Sequence, residues 1–281
     1  ALAAQLRRYG VQRGDRVAAY LPNIPEAMVA FLACSSVGAV WSICAPDMGA
    51  AAVLDRFQQI EPKVLIAVDG IYYGGKALDR SSVVQALMDA LPSVQQLMLL
   101  KTPYATKNIA AYADYPSATG QKGLNFELLE PEWLPFDHPI WIVYSSGTTG
   151  LPKPIVHGQG GVVLAHLQLT ALHNDVGCSY APNSWGERFH WYSSTGWVMW
   201  NAQMSGLLNG STVCIFDGNP GGAKDQLDWT TLWRFAATVG VTWFGAGAAF
   251  YANCMKAGVD SAALPALARV RALGSTGSPL S

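Results

Sequence analysis

Residues 16–68 read RVAAYLPNIPEAMVAFLACSSVGAVWSICAPDMGAAAVLDRFQQIEPKVLIAV, and this stretch decides the fold class. Arg16–Leu21 is a short apolar run behind the turn Arg13-Gly14-Asp15, which predicts a strand. Pro25 suits the first turn of a helix that ends near Gly38. Val40–Ile43 is the next strand, Ala50–Ile60 the next helix and Val64–Val68 a third strand. Short apolar strands alternating with helices imply crossover connections, and these place the strands parallel with helices over both faces. The fold class is therefore α/β with mainly parallel sheets.

The alternation continues with a helix at Val83–Leu91 and a strand at Val94–Leu100. The segment Lys101–Pro139 breaks it. Pro103, Pro116, Pro131, Pro135 and Pro139 recur there among Tyr, Gly and Asn, so it reads as a long surface connection with a short strand near Phe126–Leu129. A second alternating set follows: strand Ile140–Tyr144, helix Val162–Asp175, strand Thr212–Phe216, and a helix from an Asp228 N-cap through Thr238. Strand Val241–Phe244, helix Ala248–Lys256 and strand Val270–Leu273 complete it. The expected division is a first α/β subdomain at residues 1–138, which includes the connection, and a second at 139–281. Ala1–Tyr9 reads as the tail of a helix stopped by Gly10, and the last residues follow a strand and a glycine-rich turn. The expectation is a piece of a longer chain.

Composition supports that expectation. Only 13% of the 281 residues are charged and 51% are hydrophobic, against about 25% charged in ordinary domains, which leaves little dedicated water-facing surface. The net charge is −1 with no basic run, which argues against nucleic acid and against a polybasic membrane anchor. Two stretches lack charge, Ala27–Pro46 and Phe189–Phe216. Ser35, Ser36 and Ser42 in the first, and His190, Ser193, Asn201, Gln203 and Asn209 in the second, are costly in hydrocarbon. Both read as buried elements, so no membrane partner is expected. The five cysteines form no C-x-x-C pair and sit among apolar residues, as packed thiols in a reducing cytoplasm do. No signal peptide is expected, and the expected location is cytoplasmic.

The chemistry lies in Tyr144-Ser145-Ser146-Gly147-Thr148-Thr149-Gly150-Leu151-Pro152-Lys153. A glycine-rich loop after a strand can aim backbone N–H groups at phosphate oxygens, its hydroxyls add donors, and Lys153 adds a positive charge. It is not a Walker loop, because Leu151-Pro152 separates the last glycine from the lysine and Pro154 follows. Eight specified residues, each at below about 10% usage, coincide by chance less than about once in 10⁸ positions. The loop resembles the signature of the acyl-adenylate-forming (AMP-binding) superfamily. The continuation Pro154–Gly161, the segment Ser194–Asn201 and the terminal Leu273–Leu280 resemble that superfamily's acetoacetate–CoA ligase branch.

The resemblance implies a two-step reaction. A carboxylate attacks the α-phosphorus of MgATP, giving an acyl-adenylate and pyrophosphate, and the thiol of coenzyme A then displaces AMP. It places Ser145, Ser146, Gly147, Thr148, Thr149, Gly150 and Lys153 around the β- and γ-phosphates, with Lys153 and Thr148 in the catalytic role. Gly277-Ser278-Pro279 matches a Gly-x-Pro turn near the nucleotide, and Ser278 departs from the Glu of the acetyl branch. Trp197 and Val198 match one wall of a short-chain acyl pocket and Thr276 the other, with core packing as the lesser reading of Trp197 among four neighbouring tryptophans. His190, Ser194 and Asn201 are candidate donors to the second carbonyl of acetoacetate, and His157 is either a site group or a packed one. Lys76, in Tyr73-Gly74-Gly75-Lys76, matches basic residues near the coenzyme A phosphates. ATP, Mg²⁺ and coenzyme A are the implied cosubstrates, with no protein-ligated metal. His166 and His173 lack acidic or cysteine partners at ligand spacing, and no G-x-S-x-G elbow is present.

The family's remaining parts, including a small mobile C-terminal domain, are implied to lie beyond this chain, which is expected to be inactive alone. Two other readings stay open from sequence: a sister ligase for acetate or propionate, and a truncated non-catalytic nucleotide-binding or interaction module.

Overall fold

The computed structural model describes residues 1–116, 130–145, 150–177 and 186–279. The chain forms two compact units, Ala1–Ile71 with Ala77–Val162, and Tyr72–Lys76 with Val163–Ser281.

In the first unit, helix α1 (Leu2–Arg8) ends before Gly10, whose φ of +70° is the left-handed stop that a glycine supplies without strain. Then come β1 (Arg16–Tyr20), α2 (Pro25–Ser36), β2 (Val40–Cys44), α3 (Ala50–Phe57) and β3 (Val64–Val68). A hairpin of β4 (Gly70–Tyr73) and β5 (Lys76–Asp79), whose tip at Tyr72–Lys76 belongs to the second unit, helix α4 (Ser81–Ala90), β6 (Gln96–Leu100) and the short β7 (Ala113–Asp114) follow. Strands β8 (Pro139–Ser145) and β9 (Lys153–Gly158) close the unit. Among the described residues the main sheet runs β7-β6-β3-β1-β2-β8-β9, parallel except for the antiparallel β8–β9 pair.

The central strands are buried on both faces, which is why their sequences are unbroken apolar runs rather than alternating ones. Tyr20, Val53, Phe57, Leu65, Leu87 and Leu99 share one core, each large apolar side chain contributing about 1.5–3 kcal/mol by leaving water. The Tyr20 hydroxyl reaches the carbonyls of Pro46 at 2.9 Å and Met48 at 2.8 Å, so its polar tip is satisfied inside that core.

The strand after residue 138, read in the sequence as the head of the second subdomain, belongs to this first sheet. Trp141 pairs with Trp41 on β2, and the Ser42 hydroxyl donates to the Ile142 carbonyl at 3.1 Å. Phe31 on α2 packs against both indoles, at 5.7 Å from Trp141 and 6.2 Å from Trp41. The compact unit accordingly runs on to Val162. The end of the proline-rich connection is tied down by Gln159, whose side-chain amide donates to the carbonyls of Leu134 at 3.1 Å and Pro135 at 2.8 Å. The short strand expected near Phe126–Leu129 lies outside the described residues.

Helix α5 (Gln159–Leu167) continues as a π-type turn at Gln168–His173. The second unit then builds β10 (Arg188–Trp191), α6 (Val198–Met204), β11 (Thr212–Val213) and a hairpin of β12 (Gly222–Ala223) with β13 (Gln226–Leu227). Helix α7 (Thr231–Val239), β14 (Trp243–Gly247), α8 (Ala248–Lys256) and β15 (Ala272–Thr276) complete it. Its sheet runs β11-β10-β14-β15, all parallel. Asp228 is not the N-cap of α7. Thr230 is, and the Asp228 carboxylate instead accepts from the Thr230 N–H at 2.9 Å and hydroxyl at 2.6 Å and pairs with Arg234 at 2.6 Å.

The uncharged stretches are α2 with β2, and β10 through β11. No helix among the described residues is long and apolar enough to cross a membrane. Cys34, Cys44, Cys214 and Cys254 are buried free thiols, and burial pushes Cys44 up to about 12 and Cys34 higher still. Cys178 lies outside the described residues.

Candidate active site

The phosphate-loop candidates sit at the mouth of the β8–β9 hairpin. Ser145 and Lys153 are direct antiparallel partners, as are Tyr144 and Pro154 one step back. Opposed residues project to the same face of a sheet and neighbours along a strand to opposite faces. Ser145 and Lys153 therefore share one face, and Tyr144 takes the other. Tyr144 turns into the core, where its hydroxyl donates to the Arg56 carbonyl at 3.1 Å and burial holds it well above the usual phenol range. Lys153 is exposed on its face and Ser145 is half-buried. The far side of the loop is held by Gln59, whose amide donates to the Pro152 carbonyl at 2.8 Å. Nothing local in the sequence marks Gln59 for this task. Ser146, Gly147, Thr148 and Thr149 lie outside the described residues.

His157, at the end of the signature continuation, is a packed group. Its Nδ1 accepts the Trp141 indole N–H at 2.7 Å, and the two rings meet edge to face. The acceptor role at Nδ1 leaves the ring proton on Nε2.

The other candidates belong to the second unit. Strands β10, β14 and β15 lie side by side and parallel, with Trp191, Gly245 and Gly274 in one row. Their carboxyl ends therefore share one edge of the sheet, the edge at which open α/β sheets bind ligands. Trp197 and Val198 follow β10 on that edge, Thr276 ends β15, and Gly277-Ser278-Pro279 continues it. Gly277 has φ +93°, so the turn needs glycine at its first position. Gly247, opposite Thr276, opens helix α8.

Exposure sorts the tryptophans. Trp200 is 0% exposed and Trp191 is 7%, whereas Trp197 is 57% and Val198 is 43% exposed. Trp191 and Trp243 stack at 5.4 Å over the glycines Gly245 and Gly274, where no side chain would fit. Trp197 is therefore exposed rather than packed in the core of this unit.

His190 faces away from this edge. Its ring packs at 5.2 Å from Phe235 and 5.4 Å from Phe244, and its Nδ1–H donates to the Cys214 carbonyl at 2.6 Å. Burial pushes it down to about 4, with the Cys214 bond opposing in part, so it is a neutral imidazole whose one proton is already used.

Lys76 stands at the tip of the β4–β5 hairpin, exposed. The tip docks on the β12–β13 turn. Lys224 N–H donates to the Gly74 carbonyl at 3.0 Å, and its ammonium lies 5.7 Å from the centre of the Tyr73 ring. Ala223 packs so closely on Gly75 that a Cβ there would sit 2.8 Å from the alanine Cβ. Lys224 is thus a second cation at the tip of this hairpin, which its isolation in the sequence did not signal. Among the described residues no three His, Cys, Asp or Glu side chains come together as metal ligands.

The model of one protein family, described as AMP-binding enzyme, matches residues 1–281. The chain belongs to the AMP-binding enzyme family. An acetoacetyl-coenzyme A synthetase of Rhizobium meliloti (strain 1021) is 40% identical over 289 aligned residues, covering 100% of this chain and 41% of that protein. The malonamoyl-CoA synthetase vrtB of Penicillium aethiopicum is 33% identical, covering 98% of this chain and 39% of that protein. Among solved structures, an acetoacetyl-CoA synthetase from Streptomyces lividans superposes with a TM-score of 0.87 at 47% identity, over 99% of this chain and 41% of that one. The chain thus spans about two-fifths of the length of these relatives, and over that length its α/β fold is that of the Streptomyces lividans structure.

Proposed function

We propose that this chain is part of an AMP-forming acid–thiol ligase that joins acetoacetate to coenzyme A through an acetoacetyl-adenylate. The observation that supports the reading is the likeness, over 99% of this chain and 41% of that one, to the Streptomyces lividans acetoacetyl-CoA synthetase at 47% identity. In this reading the Ser145–Lys153 loop, with Thr148, cradles the β- and γ-phosphates of MgATP, and the lysine charge offsets the charge that develops on departing pyrophosphate. Gly277-Ser278-Pro279 borders the nucleotide, Trp197, Val198 and Thr276 bound the acyl group, and Lys76 meets the coenzyme A phosphates. Magnesium arrives with ATP as part of the substrate. The enzyme works in the cytoplasm, and a C-terminal domain supplies the parts of the site that this chain does not carry.

The acid is chosen by a carbonyl at its third carbon. Acetoacetate carries a ketone there and malonamate an amide, and those are the acyl groups in the names of the two kinds of relative. The test is pyrophosphate release from MgATP by the full reading frame that encodes this chain, with acetoacetate, acetate and propionate in parallel. Preference for acetoacetate is the expected result. Preference for acetate would retire the substrate and keep the ligase, and no release with any short acid would retire both.

A further inference from the structure

A carbonyl at the third carbon of the acid needs a hydrogen-bond donor, because an apolar wall there would strip its water and return nothing. The second unit holds two such donors unspent. Gln203, on α6, is 0% exposed and its carboxamide oxygen accepts the Trp191 backbone N–H at 2.8 Å. That bond fixes the amide, yet among the described residues its Nε2 finds no acceptor. Neither does the indole Nε1–H of Trp191. Buried donors without acceptors are costly and rare in native structures, so two on hydrogen-bonded neighbours mark a place for an acceptor that the described residues do not supply. Ser194 and Asn201 show no such unmet donor among the described residues, and the one proton of His190 is committed to Cys214.

The placement suits the acyl group. Gln203 is on the helix that begins with Val198, behind Trp197, and Met199, one turn earlier on that helix, packs against the cluster of Val176, Phe189, Trp191 and Trp243. Trp191 lies against Gly274 on β15, two residues before Thr276. Both donors therefore sit behind the residues proposed as pocket walls.

We infer that Gln203, together with the Trp191 indole N–H, donates to the 3-carbonyl oxygen of the acid and sets the preference for 3-oxo acids over plain short acids. This rests on the ligase reading above. The experiment compares acetoacetate with butyrate, which has the same chain length and no ketone, in the full reading frame and in two variants. Gln203→Met removes the amide donor at similar volume without placing a titratable group at a fully enclosed position. Trp191→Phe keeps an aromatic ring on the glycines and removes the indole donor.

In variants with unaltered near-UV circular dichroism, kcat/KM for acetoacetate is expected to fall about tenfold or more while that for butyrate changes less than about twofold. A parallel fall for both acids, or an unchanged ratio, would overturn the assignment and leave the two donors to internal water. Wild-type protein that activates neither acid would overturn the ligase reading and this inference with it. Activation of butyrate alone would overturn only the preference.

Discussion

Ser145 and Lys153 face each other across the antiparallel β8–β9 pair, the last strand residues on either side of the loop at 146–152. The pairing puts the loop's hydroxyl and its ammonium on one face, anchored through Tyr144 to the core on the other. Because the Lys153 side chain is exposed, truncating it removes charge without opening a cavity. Lys153→Ala in the full reading frame is expected to slow pyrophosphate release by about 10²-fold or more and to change stability by less than about 0.5 kcal/mol. Pyrophosphate assay and urea denaturation on the same preparation separate the two, and a folded variant with undiminished release would remove Lys153 from the phosphate site.

The strand and helix alternation of residues 16–68 was readable because strands buried on both faces leave unbroken apolar runs, and each boundary carries its own Pro or Gly. What could not be read was pairing. Trp41 and Trp141 are partners 100 residues apart, and no local pattern says that β8 joins the first sheet rather than opening the second. Strand β10 and helix α6 are hidden differently: in an uncharged stretch with aromatic residues on every side, periodicity gives no contrast. The signature loop is legible by residue identity alone. The unmet donors of Gln203 and Trp191 are not, since the signal is a missing partner in three dimensions.

Trp191 and Trp243 set a tight condition on the second sheet. A Cβ on Gly274 would stand 2.2 Å from the Trp243 ring and 2.7 Å from Trp191, and both indoles are buried and cannot swing aside. Gly274→Ala is expected to cost about 1–3 kcal/mol or more by overpacking. Gly161, in α5, has nothing within reach of a new Cβ, and Gly161→Ala should be neutral or stabilise by up to about 1 kcal/mol. Urea midpoints that move in the same direction for both variants would contradict this packing.

His190 makes stability depend on pH in a defined window. The unfolded imidazole titrates near 6.5 and the folded one is pushed down to about 4. Above 6.5 both states are neutral and the contribution is fully present. As pH falls from 6.5 toward 4 the unfolded chain takes up a proton that the folded chain refuses, so up to about 3 kcal/mol is lost across that range. Denaturant midpoints from pH 7 to 4.5 should decline accordingly, and the His190 ring resonances in NMR spectra should stay fixed down to about pH 5. A ring that titrates near its ordinary value would show that the site between Phe235 and Phe244 admits water.

Trp197 is the extended N-cap of α6 and Trp200 lies in its first turn, and burial assigns them opposite consequences. Trp200 is fully enclosed, so Trp200→Ala is expected to cost about 3–5 kcal/mol whatever the substrate. Trp197 is more than half exposed, so Trp197→Ala should leave the denaturation midpoint close to wild type. In the proposed reading its indole instead limits the space for the acyl chain at the carboxyl ends of β10 and β15. Its removal should raise kcat/KM for five- and six-carbon acids relative to four-carbon acids, one methylene being worth about 1–3 kcal/mol in an apolar pocket. A panel of straight-chain acids assayed by pyrophosphate release measures the shift. If Trp197→Ala unfolds the protein, the indole is core after all. If it folds and the chain-length profile stays fixed, the pocket wall must be sought elsewhere on that edge.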